Sequence, residues 1–153
     1  MAFFERYPLV GIHFKVTFIE LFGAAEIDSR FHEVTGLNAE LTVEELAEGG
    51  ENRYTHKLPV KAKFSNLVLK RALSPLPSVL TKWAEDAIYN FEFRPCTVIV
   101  SLLNELHIPV KNWIFYSAYP VKIQVTDLKA QDNSVVVETL ELAYKYSKQI
   151  NII

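Results

Sequence analysis

Five side chains in the 153-residue sequence could carry metal-ligating or nucleophilic chemistry: Cys96, the only cysteine, and the histidines His13, His32, His56 and His107. The histidines stand 19, 24 and 51 residues apart, with no HExxH pair and no second cysteine to complete a ligand set, so no metal site is expected. The plainer reading puts His13 on the polar face of a strand and the other three in loops or at strand ends. A thiolate at Cys96 activated by a histidine would be a nucleophile. Yet Cys96 directly precedes the apolar TVIV of residues 97–100, where a small buried residue is the ordinary expectation. The five glycines, at 11, 23, 36, 49 and 50, build neither a Walker loop nor GxGxxG, and no GxSxG elbow occurs. Glu44-Glu45 and Glu85-Asp86 read as solvated faces, because adjacent acids are common wherever acidic residues are plentiful. Lys57, Lys61, Lys63 and Lys70-Arg71 lack the interleaved aromatics on which single-strand binders stack bases. The sequence therefore points away from catalysis, cofactors and nucleic-acid sequence recognition.

Bulk properties agree. A chain of 153 residues fits one domain, here residues 1–153, and can bury about 70% of the surface its unfolded form exposes. Half the residues are hydrophobic and 22% charged, which excludes wholesale disorder and a fibrous repeat. Sixteen basic against 18 acidic residues give a net charge of -2, with none of the basic excess of a nucleic-acid binder. One cysteine allows no internal disulfide, which suits a reducing compartment. Glu5, Arg6 and Pro8 interrupt the stretch where a secretory signal would be apolar. No uncharged run is longer than NWIFYSAYPV at 112–121, which is half the length of a membrane span, so no membrane insertion is expected.

The elements that would hold these residues are mostly strands. Ile12, Phe14, Val16 and Phe18 alternate with His13, Lys15 and Thr17, the period of a strand with one buried face. A turn at FGAAEIDSRF leads to a second strand over Phe31–Val34, closed by Gly36. Leu37, Ala39, Leu41 and Val43 alternate again, although Thr42 and Glu45 also match a helix capping box. From Glu44 to Lys57 the pattern is lost around Gly49-Gly50, which reads as a long loop. A strand from near Pro59 turns Val60, Ala62 and Phe64 inward and Lys61 and Lys63 outward, until Ser65-Asn66 shifts the apolar set to Leu67 and Leu69, as a bulge or bend would. One helix is clear in SPLPSVLTKWAEDAIYNF, with Leu76, Val79, Leu80, Trp83, Ala87 and Ile88 inward and a cap at Ser74-Pro75 or Pro77-Ser78. Further strands follow at Thr97–Leu103, Trp113–Tyr116, Val121–Thr126 and Val135–Tyr146, joined by hairpins at NELHI and KAQDNS. Glu138, Glu141, Lys145 and Lys148 would also line a helical face, but three consecutive valines and the Leu140–Tyr146 alternation favour a strand. Seven or eight strands and one helix make a mainly β, α+β chain, an antiparallel β-sandwich or barrel. Many strands mean edges, and edges are either blunted or paired with another chain.

Several segments in order carry a resemblance: FHEVTGL, EGGENRYTHKLP, KFSNLVLKRAL, LTKWAEDA and the late WIFYSAYPVKIQVTDLKAQDNSVVVETLELAYKY. Together, over Tyr7 to Tyr146, they resemble the tail tube proteins of contractile phages and bacterial contractile injection systems. YPLVGIHFKVTF and EGGENRYTHKLP look more like the tube-initiator subgroup than the major tube subunit. Ala72 departs from the glycine often found after Lys-Arg, which puts the turn after Arg71 in doubt. The resemblance implies a sandwich of the tail tube, Hcp-like type with one flanking helix and no catalysis. Six copies would close a ring around a channel, joined to tube, baseplate hub, spike and sheath proteins. Assembly would begin in the bacterial cytoplasm and end in a phage tail or injection particle. Glu48, Gly49, Gly50, Glu51, Asn52, Arg53, Tyr54, His56 and Lys57 are then expected at contacts between subunits and rings, where ion pairs set register more than affinity. Lys61, Lys63, Lys122, Gln124 and Thr126 are expected to line the channel, where hydrated side chains let cargo slide. Outside this family, a monomeric β-module binding a small ligand or peptide would show a deep apolar pocket, and an unrecognised hydrolase would show convergent histidines and carboxylates.

Overall fold

The computed structural model describes residues 13–19, 31–47, 49–50, 56–73, 78–131 and 134–152. In chain order they form β1 (His13–Ile19), β2 (Glu33–Thr35), β3 (Ala39–Leu46), β4 (His56–Phe64), β5 (Leu67–Ala72), α1 (Val79–Tyr89), β6 (Cys96–Leu103), β7 (Pro109–Val125), β8 (Val137–Ala143) and β9 (Tyr146–Asn151). All the pairings are antiparallel. The larger sheet runs β1-β6-β7-β8-β5-β2, with β9 beside β7, and β3 and β4 form a separate two-stranded sheet.

β7 holds the arrangement together. Its first half pairs with β6 on one edge and β9 on the other, and its second half pairs with β8. Ser117, at φ 54, marks the change of direction between the halves, and the register slips again between Pro120 and Lys122. The sequence reads two strands here, Trp113–Tyr116 and Val121–Thr126. They are one 17-residue strand, because the SAYP interruption bends the backbone without releasing its ladder. The converse holds at the C-terminal end, where the single strand expected over Val135–Tyr146 is β8 and β9, separated by Tyr144 and Lys145. Both are extended, which removes the helical alternative for this segment.

Alternation places the core. Val16 and Phe18 of β1, Val98 and Val100 of β6, and Phe115 of β7 face Leu67 and Leu69 of β5 and Leu140 and Leu142 of β8, all buried. Burying a Leu or Phe side chain fully contributes about 1.5–3 kcal/mol, so this facing set supplies the main driving force. α1 adds Leu80, Trp83, Ala84 and Ala87. Trp83 meets Phe18 edge-on at 5.8 Å between ring centroids and donates its indole N–H to the Arg94 carbonyl at 2.8 Å. The helix begins where Ser78 caps it, its Oγ accepting from Thr81 N–H at 3.2 Å, so of the expected caps Ser78 is the one used. Val79 and Ile88, expected inward, are 43% and 38% exposed, while Ala84, not anticipated, is buried. Helix periodicity located the stripe but not its centre. Leu76 lies outside the described residues.

The helix is tied to the sheet by Arg71 of β5. Its guanidinium donates from Nε to Glu138 at 3.0 Å and from an Nη to the Ser78 hydroxyl at 3.0 Å, and it lies 5.3 Å from the centre of the Phe31 ring. The NELHI hairpin forms as expected, because the buried Asn104 accepts from both Leu106 N–H and Ile108 N–H through Oδ1.

Candidate functional site: a projecting two-stranded arm

β3 and β4 leave the body as a ribbon, with every residue of β3 exposed and only the ends of β4, His56 and Phe64, partly covered. This overturns two sequence expectations. Glu44 to Leu46 continue β3, and His56 to Leu58 begin β4, so most of the described part of the segment read as a long polar loop is strand. Cross-strand partners such as Glu45 with Lys57 pair the polar residues, and one sequence at a time does not show that pairing. Second, Val60 and Ala62 do not fill a core. Val60 is 57% exposed and Ala62 is exposed, since among the described residues no second layer lies over the ribbon. Thr42 and Glu45 lie within β3, so the capping box is not used.

The base of the arm is built tightly. The Tyr144 hydroxyl donates to the Ser65 carbonyl at 2.6 Å, Phe64 and Tyr144 lie 6.1 Å apart between ring centroids, and Asn66 Nδ2 donates to Glu141 at 3.0 Å. On the other strand, Gly36 takes φ 97, and a Cβ there would land on the carbonyl oxygen of Asn66. Only glycine satisfies both demands. Ser65-Asn66, read as a bulge or bend, is the point at which the chain leaves one sheet for the other.

Of the expected contact residues, Gly49 and Gly50 sit in a turn beyond Ala47, both exposed, where an added Cβ would meet nothing within 4 Å among the described residues, and Gly50 has φ 89. His56 pairs with Leu46 and Lys57 with Glu45. Glu48, Glu51, Asn52, Arg53 and Tyr54 lie outside the described residues. The expected channel residues fall on two elements. Lys61 and Lys63 are on the arm, with Lys63 3.9 Å from Glu40. Lys122 and Gln124 are on β7, opposite Glu141 and Thr139 of β8, and this sheet face points away from the core. Thr126 lies just past the end of β7, its Oγ1 accepting from Val137 N–H at 3.1 Å.

No catalytic arrangement emerges where the sequence offered candidates. Cys96 is buried, and burial pushes its thiol up from 9.0 to about 12. His13 and His107 are brought together by the β6–β7 turn, their rings stacked at 4.4 Å, a contact that their spacing of 94 residues hid. Stacked imidazoles present their nitrogens sideways rather than to a shared point, and among the described residues no group of three or more potential ligands gathers.

Residues 10–148 match the family model for the T4-like virus tail tube protein gp19. The chain belongs to that tail tube family. A chain of the anti-feeding prophage baseplate, from a six-fold symmetrised structure, is 32% identical, with TM-score 0.88 over 95% of this chain and 97% of that one. A chain of the extracellular contractile injection system PVC sheath–tube complex is 20% identical at TM-score 0.80, over 96% and 94% of the two chains. Hcp1 from Flavobacterium johnsoniae shares the fold at TM-score 0.51 and 12% identity, over 89% and 93%. No curated protein matches the chain in sequence. This tail tube protein is thus a structural component and not an enzyme, with the mainly β, Hcp-like sandwich and, among the described residues, a single flanking helix.

Proposed function

We propose that this tail tube protein forms the initiator ring of a contractile injection system or phage tail, six copies joining the baseplate hub and spike to the tube. The observation that carries it is the arm. A two-stranded ribbon is marginal in water by itself, yet this one keeps Leu41, Val43, Leu46, Leu58 and Val60 about half exposed or more. Such a ribbon makes physical sense when neighbours cover it. The initiator position is supported by the 32% identity with a chain from a six-fold baseplate, against 20% with the sheath–tube chain. Glu48 to Lys57 then form contacts between subunits and rings. The channel wall is drawn from Lys61, Lys63, Lys122, Gln124 and Thr126, supported by the polar outer row of β7 and β8. Assembly begins in the bacterial cytoplasm.

Electron microscopy of the purified chain, alone and with its hub, spike and tube companions, tests the reading. Hollow rings alone that seed tubes when companions are added are expected. Spontaneous long tubes would instead make it the major tube subunit, and a chain that stays single in every mixture would return it to a monomeric β-module.

A further inference from the structure

Beside the root of the arm the body carries a small aromatic cleft. Trp113 and Phe115 of β7 pair with Gln149 and Ser147 of β9, and directly opposite residues in an antiparallel ladder share a face. Phe115 is buried in the core, whereas Trp113 is only partly covered. Across from them stand Leu37 and Asn38, which lead into β3, and Phe64, which ends β4, and a space of about 100 Å³ is left between the two sides.

Three features give this space a chemical preference. Its walls are aromatic, formed by Phe64, Trp113 and Phe115. Its polar groups are uncommitted: the side-chain amides of Asn38 and Gln149 and the Trp113 indole N–H find no hydrogen-bond partner among the described residues, whereas Ser147 is engaged by Tyr144. A cation stands beside it, since Lys111 Nζ lies 5.4 Å from the centre of the Trp113 ring, and among the described residues Lys111 forms no ion pair. An ammonium held on an indole face keeps N–H donors for an anion.

Volume narrows the choice further. A closed apolar cavity of roughly 150 Å³ takes one benzene molecule. An open-sided cleft of about 100 Å³ therefore admits a single aromatic ring whose substituent stays at the mouth. A nucleotide, a fused ring system or a peptide segment needs the roughly 300 Å³ or more of an ordinary ligand pocket. We propose that the cleft binds a free monocyclic aromatic carboxylate, its ring against Phe64 and Trp113 and its carboxylate received by Lys111 and the amides of Asn38 and Gln149. The site is complete within one chain, so it does not depend on how copies assemble.

Two-dimensional NMR of the isotope-labelled full-length chain, titrated with benzoate, tests this. The chain has two tryptophans, and Trp83, buried with its N–H on the Arg94 carbonyl, serves as the internal reference. The Trp113 indole signal should move saturably, half-way at about 1 mM for a ligand of this size, while that of Trp83 stays in place. Lys111→Met should weaken benzoate about fivefold or more and leave the weaker binding of benzyl alcohol unchanged. Ala39→Leu, which fills the cleft from an exposed position, should abolish the benzoate shift with an unchanged circular dichroism spectrum. The assignment is overturned if benzoate moves neither indole or both alike, or if either variant binds it as the unchanged protein does. Binding of N-acetyl-phenylalanine about tenfold tighter than benzoate would also overturn it, by making the occupant a chain end of another protein.

Discussion

Cys96 is inert for the same reason that it is buried. Desolvation penalises the thiolate and raises the thiol from 9.0 to about 12. Because the folded value lies above the unfolded one, the contribution to stability is complete below pH 9 and is lost as pH rises towards 12. Tyr144 is shifted in the same direction, chiefly by burial, with a hydrogen bond to Ser147 opposing it. We therefore expect Cys96→Ala to flatten part of the fall in melting temperature above pH 9, measured by circular dichroism, and the native thiol to resist alkylation at pH 8. An alkylation rate like that of a free thiol would contradict this. The inertness of Cys96 was legible, since its place before TVIV implied burial. The His13–His107 stack was not, because it depends on which strand pairs with β1 and on the turn that Asn104 shapes.

Among the elements, the arm depends on how its two strands leave the body. Gly36 and the Ser65-Asn66 corner lie against each other, and any side chain at position 36 would meet the Asn66 carbonyl while forcing a left-handed backbone. Gly36→Ala should cost about 1–3 kcal/mol or more, seen as a lower urea midpoint, through strain and displacement of the corner. A stability equal to that of the unchanged protein would show that the corner yields freely. Strands with one buried face, such as β1 and β6, were readable from alternation. The arm was recognised as strand in part and misplaced in depth: Val60, Ala62 and Phe64 alternate as a core strand does, but alternation reports that one side is apolar and not what covers it. β7 was divided for a related reason, since proline and serine mark a bend as readily as an end.

For the whole molecule, the proposed ring makes the body responsible for folding and the arm for assembly. The facing leucines, valines and phenylalanines and α1 form a core that does not call on the arm. Deleting Gly49 to Asn52 should thus leave a folded monomer with an unchanged circular dichroism spectrum that does not stack into tubes, checked by electron microscopy. Normal tube growth by the deletant would remove the loop from assembly. Fold class and family were legible because they are written in the order of many segments. The cleft at the arm root was not, because it exists only once β9 pairs with β7 and Leu37 and Phe64 come to face Trp113.

The bent β7 gives the body a mechanical character. Its 17 residues run covalently from the ladder shared with β6 and β9 into the ladder shared with β8. Shear between those regions must stretch a continuous backbone rather than slide one layer over another. A push delivered along one edge is passed on as strand tension, so a subunit under load should yield first at the three-residue β2 or the arm, and last along this spine.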